Sequence, residues 1–443
     1  MASFMELAGG REMVNEARAE ELIKGITAVD PTSISLSNKS FDNGAATKIA
    51  AYVSSLSGVT VADIGDMIAG RPEDEALRTL KIICSSFKKF DLEEVDLSDN
   101  ALGAKGVTEC IDVLLGSSLK RLYVCNNGLS AEAAELLAKI LLRQATDAVP
   151  SDATLSPVPT LELLHFYNNM AGDGGAKALA EIVKACGASL QDFRFSATRS
   201  TPAGCESIAA ALASVPKLRK LDLCDNNFNG KTGDVLKEAL RFKTCLEHVN
   251  LRDDSLEGTV GVDKLSIFEA LVEATAAGSA IKFLDLSGNS FDADAAAQLA
   301  RALDRMPTIE TLMIDDCELG SQGAKHIANA VKGMPNLKTL SMCTCEITAS
   351  GGYHLAKAVA SIRSFTTLNV DGNMFTADSV EAIRGVLVQA SKVLGELEDN
   401  DEDGDDDLED ALADYEDEEE EERAAEEDGT EDLISSMAGK LAF

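Results

Sequence analysis

The sequence predicts an α/β solenoid of about 11–12 strand–helix repeats of about 28 residues each, followed by an acidic disordered tail. Three observations carry that prediction. An apolar frame ending in Asn recurs along the chain. Helical runs lie between its copies. The interior must be filled by Leu, Ala, Ile and Val, because Trp is absent and aromatics make up only 5% of a chain that is 45% hydrophobic.

The frame is plainest at Leu92-x-x-Val95-x-Leu97-x-x-Asn100-x-Leu102 and again at Leu119, Leu122, Val124, Asn127 and Leu129. With the Asn slot as ruler, copies fall at 100, 127, 169, 198, 226, 254, 289, 317, 345 and 373, and two weaker ones precede them near 39 and 67. Most steps are 27 to 29 residues. The two longer steps contain Ala145 to Pro159 and the stretch near Gly258 to Asp263, where longer loops are expected. L-x-x-L-x-L-x-x-N is the leucine-rich-repeat signature: a short strand with alternate residues inward, then an Asn that bonds the turn backbone. Asn100, Asn127, Asn169, Asn226, Asn289 and Asn373 form the expected ladder. Thr198, Asp254, Cys317 and Cys345 replace Asn, so those turns should bond more weakly.

Between frames, runs such as Ala131 to Ile140 are apolar at i, i+3, i+4 and i+7, which reads as helix. Parallel strands inside and wider helices outside give a ribonuclease-inhibitor-like horseshoe. The expected organisation is an N-terminal helical cap over 1–30, repeats over 31–395 with a last helix and its exit from Ala377 to Leu397, an acidic tail over 396–432 and a short apolar segment over 433–443. The tail holds 24 Asp/Glu against one Arg, which is most of the net charge of −35. It is too charged to offset its ordering entropy, so truncation after Leu397 should leave thermal stability unchanged.

Charge and composition exclude several functions. No basic stripe exists for nucleic acid, no apolar run is long enough to span a membrane, and the N-terminus does not read as a secretory signal. The ten scattered Cys read as small buried hydrophobes in a reducing compartment. Asp225 to Thr232 imitates a phosphate loop, but Asp225 stands where its first Gly belongs and Asn226 is on the repeat slot. His165, His248, His326 and His354 are far apart, and Cys343-x-Cys345 lacks a second pair for zinc. No cofactor or metal is expected, and no catalytic set. A chain of this kind is a recognition surface, expected as a monomer.

Two segments sharpen this. Gly65-Asp66-Met67-Ile68-Ala69-Gly70-Arg71-Pro72-Glu73 resembles the D-x-x-x-G-R segment of Ran GTPase-activating proteins, in the A-G-R-P-E form of their plant-like members. Leu122-Tyr123-Val124-Cys125-Asn126-Asn127-Gly128-Leu129 resembles their L-Y-L-x-N-N-G-L repeat, and Leu97 to Gly103 and Phe166 to Asp173 support the match. The resemblance implies that the partner is a Ran-like small GTPase in its GTP form, which itself holds GTP and Mg²⁺, with or without a Ran-binding accessory protein. It implies that Asn126 orients the catalytic Gln of the GTPase, that Arg71 supports docking without acting as a finger, and that Asp66, Glu73 and Asn168 contact the partner. Strand alternation puts Asn127 in the buried slot and Asn126 on the exposed edge. Glu73 stands where some fungal-type members carry Lys. The plant nuclear-envelope domain and the animal modification domain are not recognisable, so the expected location is the cytoplasm, its perinuclear zone included. The role implied is nucleocytoplasmic transport; the other reading is an acidic leucine-rich-repeat binder, a histone chaperone or inhibitor without GTPase activation.

Overall fold

Each apolar frame folds as a short strand because its middle residue can be buried while its neighbours face outward. Val95, Leu122, Leu164, Phe193, Leu221, Val249 and Leu284 are wholly buried at the second positions of successive strands. The computed structural model describes residues 3–149, 158, 160–257, 266–401, 407–409 and 412–413. It falls into two units, Met1–Asn289 and Ser290–Phe443.

The first unit alternates strands and helices from its first residues. In order these are β1 (Phe4–Glu6), β2 (Glu12–Val14), α1 (Glu16–Lys24), β3 (Ser33–Ser35), β4 (Lys39–Phe41), α2 (Asn43–Ser55), β5 (Val61–Asp63), α3 (Glu73–Ser86) and β6 (Glu94–Asp96). There follow α4 (Gly103–Glu109), α5 (Ile111–Leu114), β7 (Arg121–Tyr123), α6 (Ala131–Leu141), β8 (Leu163–Tyr167), α7 (Gly172–Cys186) and β9 (Asp192–Ser196). The unit ends with α8 (Pro202–Leu212), β10 (Lys220–Asp222), α9 (Gly230–Leu240), β11 (His248–Asn250), α10 (Ile267–Ala276) and β12 (Phe283–Asp285). Apart from β2 and β4, which pair with each other, these strands form one parallel sheet in chain order, with Leu122 opposite both Val95 and Leu164.

In the second unit α11 (Ala293–Leu303), β13 (Thr311–Met313), α12 (Gly320–Val331), β14 (Thr339–Ser341), α13 (Ala349–Ala360), β15 (Thr367–Asn369), α14 (Ala377–Gln389) and β16 (Val393–Leu394) repeat the same pattern. Its strands are parallel, with Leu340 opposite Leu312 and Leu368. The chain is thus an α/β leucine-rich-repeat solenoid.

The Asn ladder holds the turns in a definite direction. Asn100 Oδ1 accepts from Met67 N at 2.9 Å while Nδ2 donates to Ile64 O at 2.8 Å, both in the preceding repeat. Asn127 does the same for Asn100 N and Leu97 O, Asn169 for Asn127 N and Val124 O, and Asn289 for Asp254 N and Leu251 O. Asn226 donates to Phe195 O, and Asn373 serves Cys345 N and Met342 O. Among the replacements, Cys345 keeps part of this work by donating Sγ–H to Ile314 O, and Thr198 bonds Asn226 Oδ1. Asp254 keeps little: it is wholly buried, neither carboxylate oxygen makes a well-formed hydrogen bond, and burial pushes its carboxyl well above the ordinary range against the smaller opposing pull of the Asn226 N–H.

A second set of tethers joins successive helices. Basic residues beyond one helix donate to carbonyls at the end of the helix before, Lys89 to Ser54 O and Leu56 O, Arg143 to Leu115 O and Lys243 to Leu212 O, or in the turn just past it, Lys243 to Val215 O and Lys392 to Phe365 O. Carbonyls there carry the negative end of the helix dipole, which suits a cation. Burial lowers Lys243 to about 8.

Three boundaries differ from the sequence reading. The N-terminal 30 residues are not simply a helical cap, because β1 adds to the sheet beside β3 before α1 begins. α14 stops at Gln389, and in the exit that follows β16 pairs with β15, a strand that the sequence reading did not include. The acidic tail was expected to be disordered from 396, yet its first residues pack on the last repeat. Asn400 accepts from Phe375 N and donates to Phe375 O, Asp399 N donates to Asp371 Oδ1, and Asp401 N donates to Asn373 O. These bonds let residues 399–401 close the final turn as a further repeat would. Further on, Asp407 accepts from Thr348 Oγ1 and Ser350 N at the start of α13. Most of the insert Ala145 to Pro159, the Gly258 to Asp263 stretch, the rest of the tail and the segment 433–443 lie outside the described residues.

Candidate functional site

One residue before each Asn slot the backbone must reverse, and it does so in the left-handed region. Asp66, Asp99, Asn126, Asn168, Ala197, Asp225 and Asp253 have φ of 45°, 64°, 51°, 52°, 51°, 58° and 52°. Asn and Asp tolerate this conformation better than other non-Gly residues because their short polar side chains bond locally. Gly288 continues the row at φ 66°, where a Cβ would lie 1.9 Å from Asp253 Oδ1. The result is an edge of short polar side chains at the C-terminal ends of the strands.

Asn126 is exposed on this edge, and its neighbour Asn127 is 1% exposed in the slot. The amide of Asn126 is engaged at both ends. Its Nδ2 donates to Asp99 Oδ1 at 2.6 Å, and its Oδ1 accepts from Asn168 Nδ2 at 2.8 Å. Each end keeps capacity for one further bond, since an amide has two N–H groups and two carbonyl lone pairs. Asp66 lies further along the row and is paired with Arg11 at 2.8 Å.

Arg71 is placed differently. Its side chain is only 12% exposed. Nε donates to Ser40 Oγ at 3.0 Å, and Nη2 donates to Ser40 O at 2.5 Å and Val14 O at 3.3 Å. Its guanidinium therefore ties the turn before α3 to β2 and β4, and no hydrogen bond joins it to Asn126. Glu73 is exposed and bonded to Lys105 at 2.6 Å. Arg71, Glu73, Asp99 and Lys105 line one cleft of about 800 Å³ with Leu77, Leu80 and Leu102 as part of its apolar wall.

The strand surface next to the edge carries residues that the repeat pattern did not single out. Arg121 pairs with Glu94, His165 bonds Asp192 at 2.8 Å and meets the Tyr123 ring edge-on, and Arg194 lies over the Tyr167 ring at 3.9 Å. Burial, then the Glu94 and Asp192 charges, push the Tyr123 phenol up to about 12. Their signal was available in the sequence as aromatic and charged residues alternating with buried Leu and Phe. Arg199, exposed at φ 59° two positions beyond Ala197, was also missed. Cys125, directly before Asn126, is buried, and its thiol is raised to about 11, which removes it as a nucleophile at neutral pH. The imitation phosphate loop is ordinary repeat structure: Asn226 is in the ladder, Lys231 pairs with Glu206, and Thr232 donates to Pro202 O.

An exposed amide held by neighbours on both sides, one position from a structural Asn, is where the Leu122–Leu129 segment meets Asp99 of Leu97–Gly103 and Asn168 of Phe166–Asp173, while Arg71 is bonded elsewhere. The chain is similar to Ran GTPase-activating proteins. It is 38% identical over 110 residues to RAN GTPase-activating protein 1 of Arabidopsis thaliana, which is 24% of this chain and 20% of that one. It is 28% identical over 252 residues to Ran GTPase-activating protein 1 of Saccharomyces cerevisiae, covering 56% and 58%. A ribonuclease inhibitor of Sus scrofa is 27% identical over 173 residues, covering 39% and 36%. The Leucine Rich repeat family model matches residues 88–109, the repeat that contains Asp99 and Asn100. The chain spans less than two thirds of the length of each of these relatives.

Proposed function

We propose that this protein is a GTPase-activating protein for a Ran-like GTPase, acting on its partner's active site and doing no chemistry of its own. The observation that carries the reading is the Asn126 amide, exposed at the edge with one N–H and one lone pair to spare, between Asp99 and Asn168. A GTPase holding GTP and Mg²⁺ hydrolyses slowly while its water-positioning Gln is poorly ordered, and a carboxamide is matched in donors and acceptors to another carboxamide. Asn126 fixes that Gln; the gain comes from orientation of the attacking water. Arg71 supports the edge from beneath, since its guanidinium is committed to Ser40 and Val14. Asp66, Glu73 and Asn168 contribute docking. No cofactor of its own enters this scheme. The process served is nucleocytoplasmic transport, from the cytoplasm.

Single-turnover GTP hydrolysis by Ran, with this protein at rising concentration, tests the reading. Acceleration that saturates, and that Asn126→Ala lowers at saturation with little change in the half-saturating concentration, supports it. No acceleration leaves the acidic leucine-rich-repeat binder as the better account. A defect confined to Arg71→Ala, with its guanidinium on the transferring phosphate in a transition-state-analogue complex, would replace positioning with a finger.

A further inference from the structure

We infer that Asp99 is a positioning residue: its carboxylate fixes which way round the Asn126 amide is presented to the partner. The inference rests on the reading of Asn126 given above and concerns the same edge. A carboxamide is nearly symmetric in shape but not in chemistry, and rotating it by half a turn exchanges donor and acceptor. Something must choose between the two. Asp99 can choose because an ionised carboxylate accepts and never donates. With Asp99 Oδ1 at 2.6 Å, only the Nδ2 end of Asn126 can face it. Oδ1 of Asn126 is thereby turned the other way, where Asn168 Nδ2 meets it at 2.8 Å.

The far end of this relay does not oppose the choice. The next residue in the row is Ala197, whose methyl neither donates nor accepts, and Arg199, which shares a cleft with Asn168 there, can only donate and so favours the same sense in which Asn168 Oδ1 points away from Asn126. The backbone supports the same arrangement, since Asp99, Asn126 and Asn168 are left-handed at φ 64°, 51° and 52° and their side chains reach across neighbouring turns. Asn126 therefore offers its remaining N–H and lone pair in one fixed sense. An incoming Gln carboxamide that pairs with both must adopt one sense too, which decides whether its oxygen or its nitrogen is left for the attacking water.

Asp99→Ala tests this with the backbone spared, because Ala197 already occupies an equivalent position at φ 51°. Asp99→Asn is the second variant, equal in size and equally tolerant of left-handed φ, but able to present either end of its amide. Expected are a single-turnover rate at saturating activator lowered about tenfold by Asp99→Ala, a half-saturating concentration changed less than about twofold, and an intermediate rate for Asp99→Asn. Asp99→Ala combined with Asn126→Ala should be no slower than Asn126→Ala alone, because the two act through one amide. The side-chain amide resonances of Asn126 should shift in Asp99→Ala while the unfolding midpoint stays in place. A saturating rate for Asp99→Ala within about twofold of the unsubstituted protein, where Asn126→Ala is defective, overturns the inference and leaves the proposed function standing. Unmoved Asn126 amide resonances overturn it as well. Failure of the unsubstituted protein to accelerate hydrolysis removes both.

Discussion

Asp254→Asn should stabilise the protein, although it changes a wholly buried residue. Asp254 occupies an Asn slot between Asn226 and Asn289, with no well-formed hydrogen bond to either oxygen. The other slots show what an amide does there: Nδ2 donates to the carbonyl three residues before the preceding slot, as Asn289 does to Leu251 O and Asn226 to Phe195 O. At 254 the corresponding acceptor is Leu223 O. An amide restores about one hydrogen bond, on the order of 1 kcal/mol, and removes a buried group that must either hold a proton or carry an unpaired charge. The pH dependence is diagnostic. A carboxyl raised in the folded state holds a proton that the unfolded chain releases, so its contribution is fully present below the unfolded carboxylate pKa and is lost as pH rises through the folded one. The gap between the two proteins should therefore widen with rising pH, by up to about 1.4 kcal/mol per unit, and then level off. Urea unfolding of both proteins from acid to neutral pH, followed by far-UV circular dichroism, measures it. An Asn variant no more stable than the parent at neutral pH, or a gap independent of pH, would refute the reasoning.

Other substitutions probe the edge and the ends of the array. Asn127→Ala should cost on the order of 1–3 kcal/mol in unfolding free energy, because it strands Asn100 N and takes from Leu97 O one of its two donors, whereas Asn126→Ala should cost little stability and much activity; equal destabilisation would mean that the edge is not separate from the slot. Arg71→Lys should lower stability on the order of 1.5–3 kcal/mol and fail to restore the hydrolysis rate, since an ammonium cannot reach Ser40 Oγ, Ser40 O and Val14 O together; a lysine variant with parental melting and rate would refute the supporting role. Truncation after Leu397 should lower the unfolding temperature, because it removes Asp399 to Asp401 and Asp407, while truncation after Ala413 should not. Identical melting of the two truncations would show that residues 399–401 contribute nothing to the last repeat.

The repeats were legible because their determinants are local and periodic. The phase that buries Asn127 and exposes Asn126 follows from strand alternation, and the slots at Asn100, Asn169 and Asn289 follow from spacing. What escaped has partners far away in sequence. Arg71 reads as a loop charge until Ser40 and Val14, 31 and 57 residues earlier, are seen to accept from it. β1 escaped because Phe4 to Glu6 is too short to show a period. Asn400 was hidden inside a run of Asp and Glu whose composition alone argued for disorder. Asp99 was quoted only as repeat filler, since its bond to Asn126 joins two repeats, and the sequence displays one repeat at a time.

The direction of the Asn ladder has a consequence for how such a chain can lengthen. Each slot Asn closes the turn of the repeat before it and leaves its own to the next, as Asn127 serves Asn100 and Asn169 serves Asn127. The self-sufficient block for duplication is therefore the stretch from just after one slot through the next, which brings a new helix and strand together with the clasp for its predecessor. A copy that is not a whole number of repeats long inserts a turn with two clasps or none. Growth of the array in whole blocks of this phase disturbs only the two junctions, while the final block must borrow its clasp from whatever follows, as Phe375 borrows from Asn400.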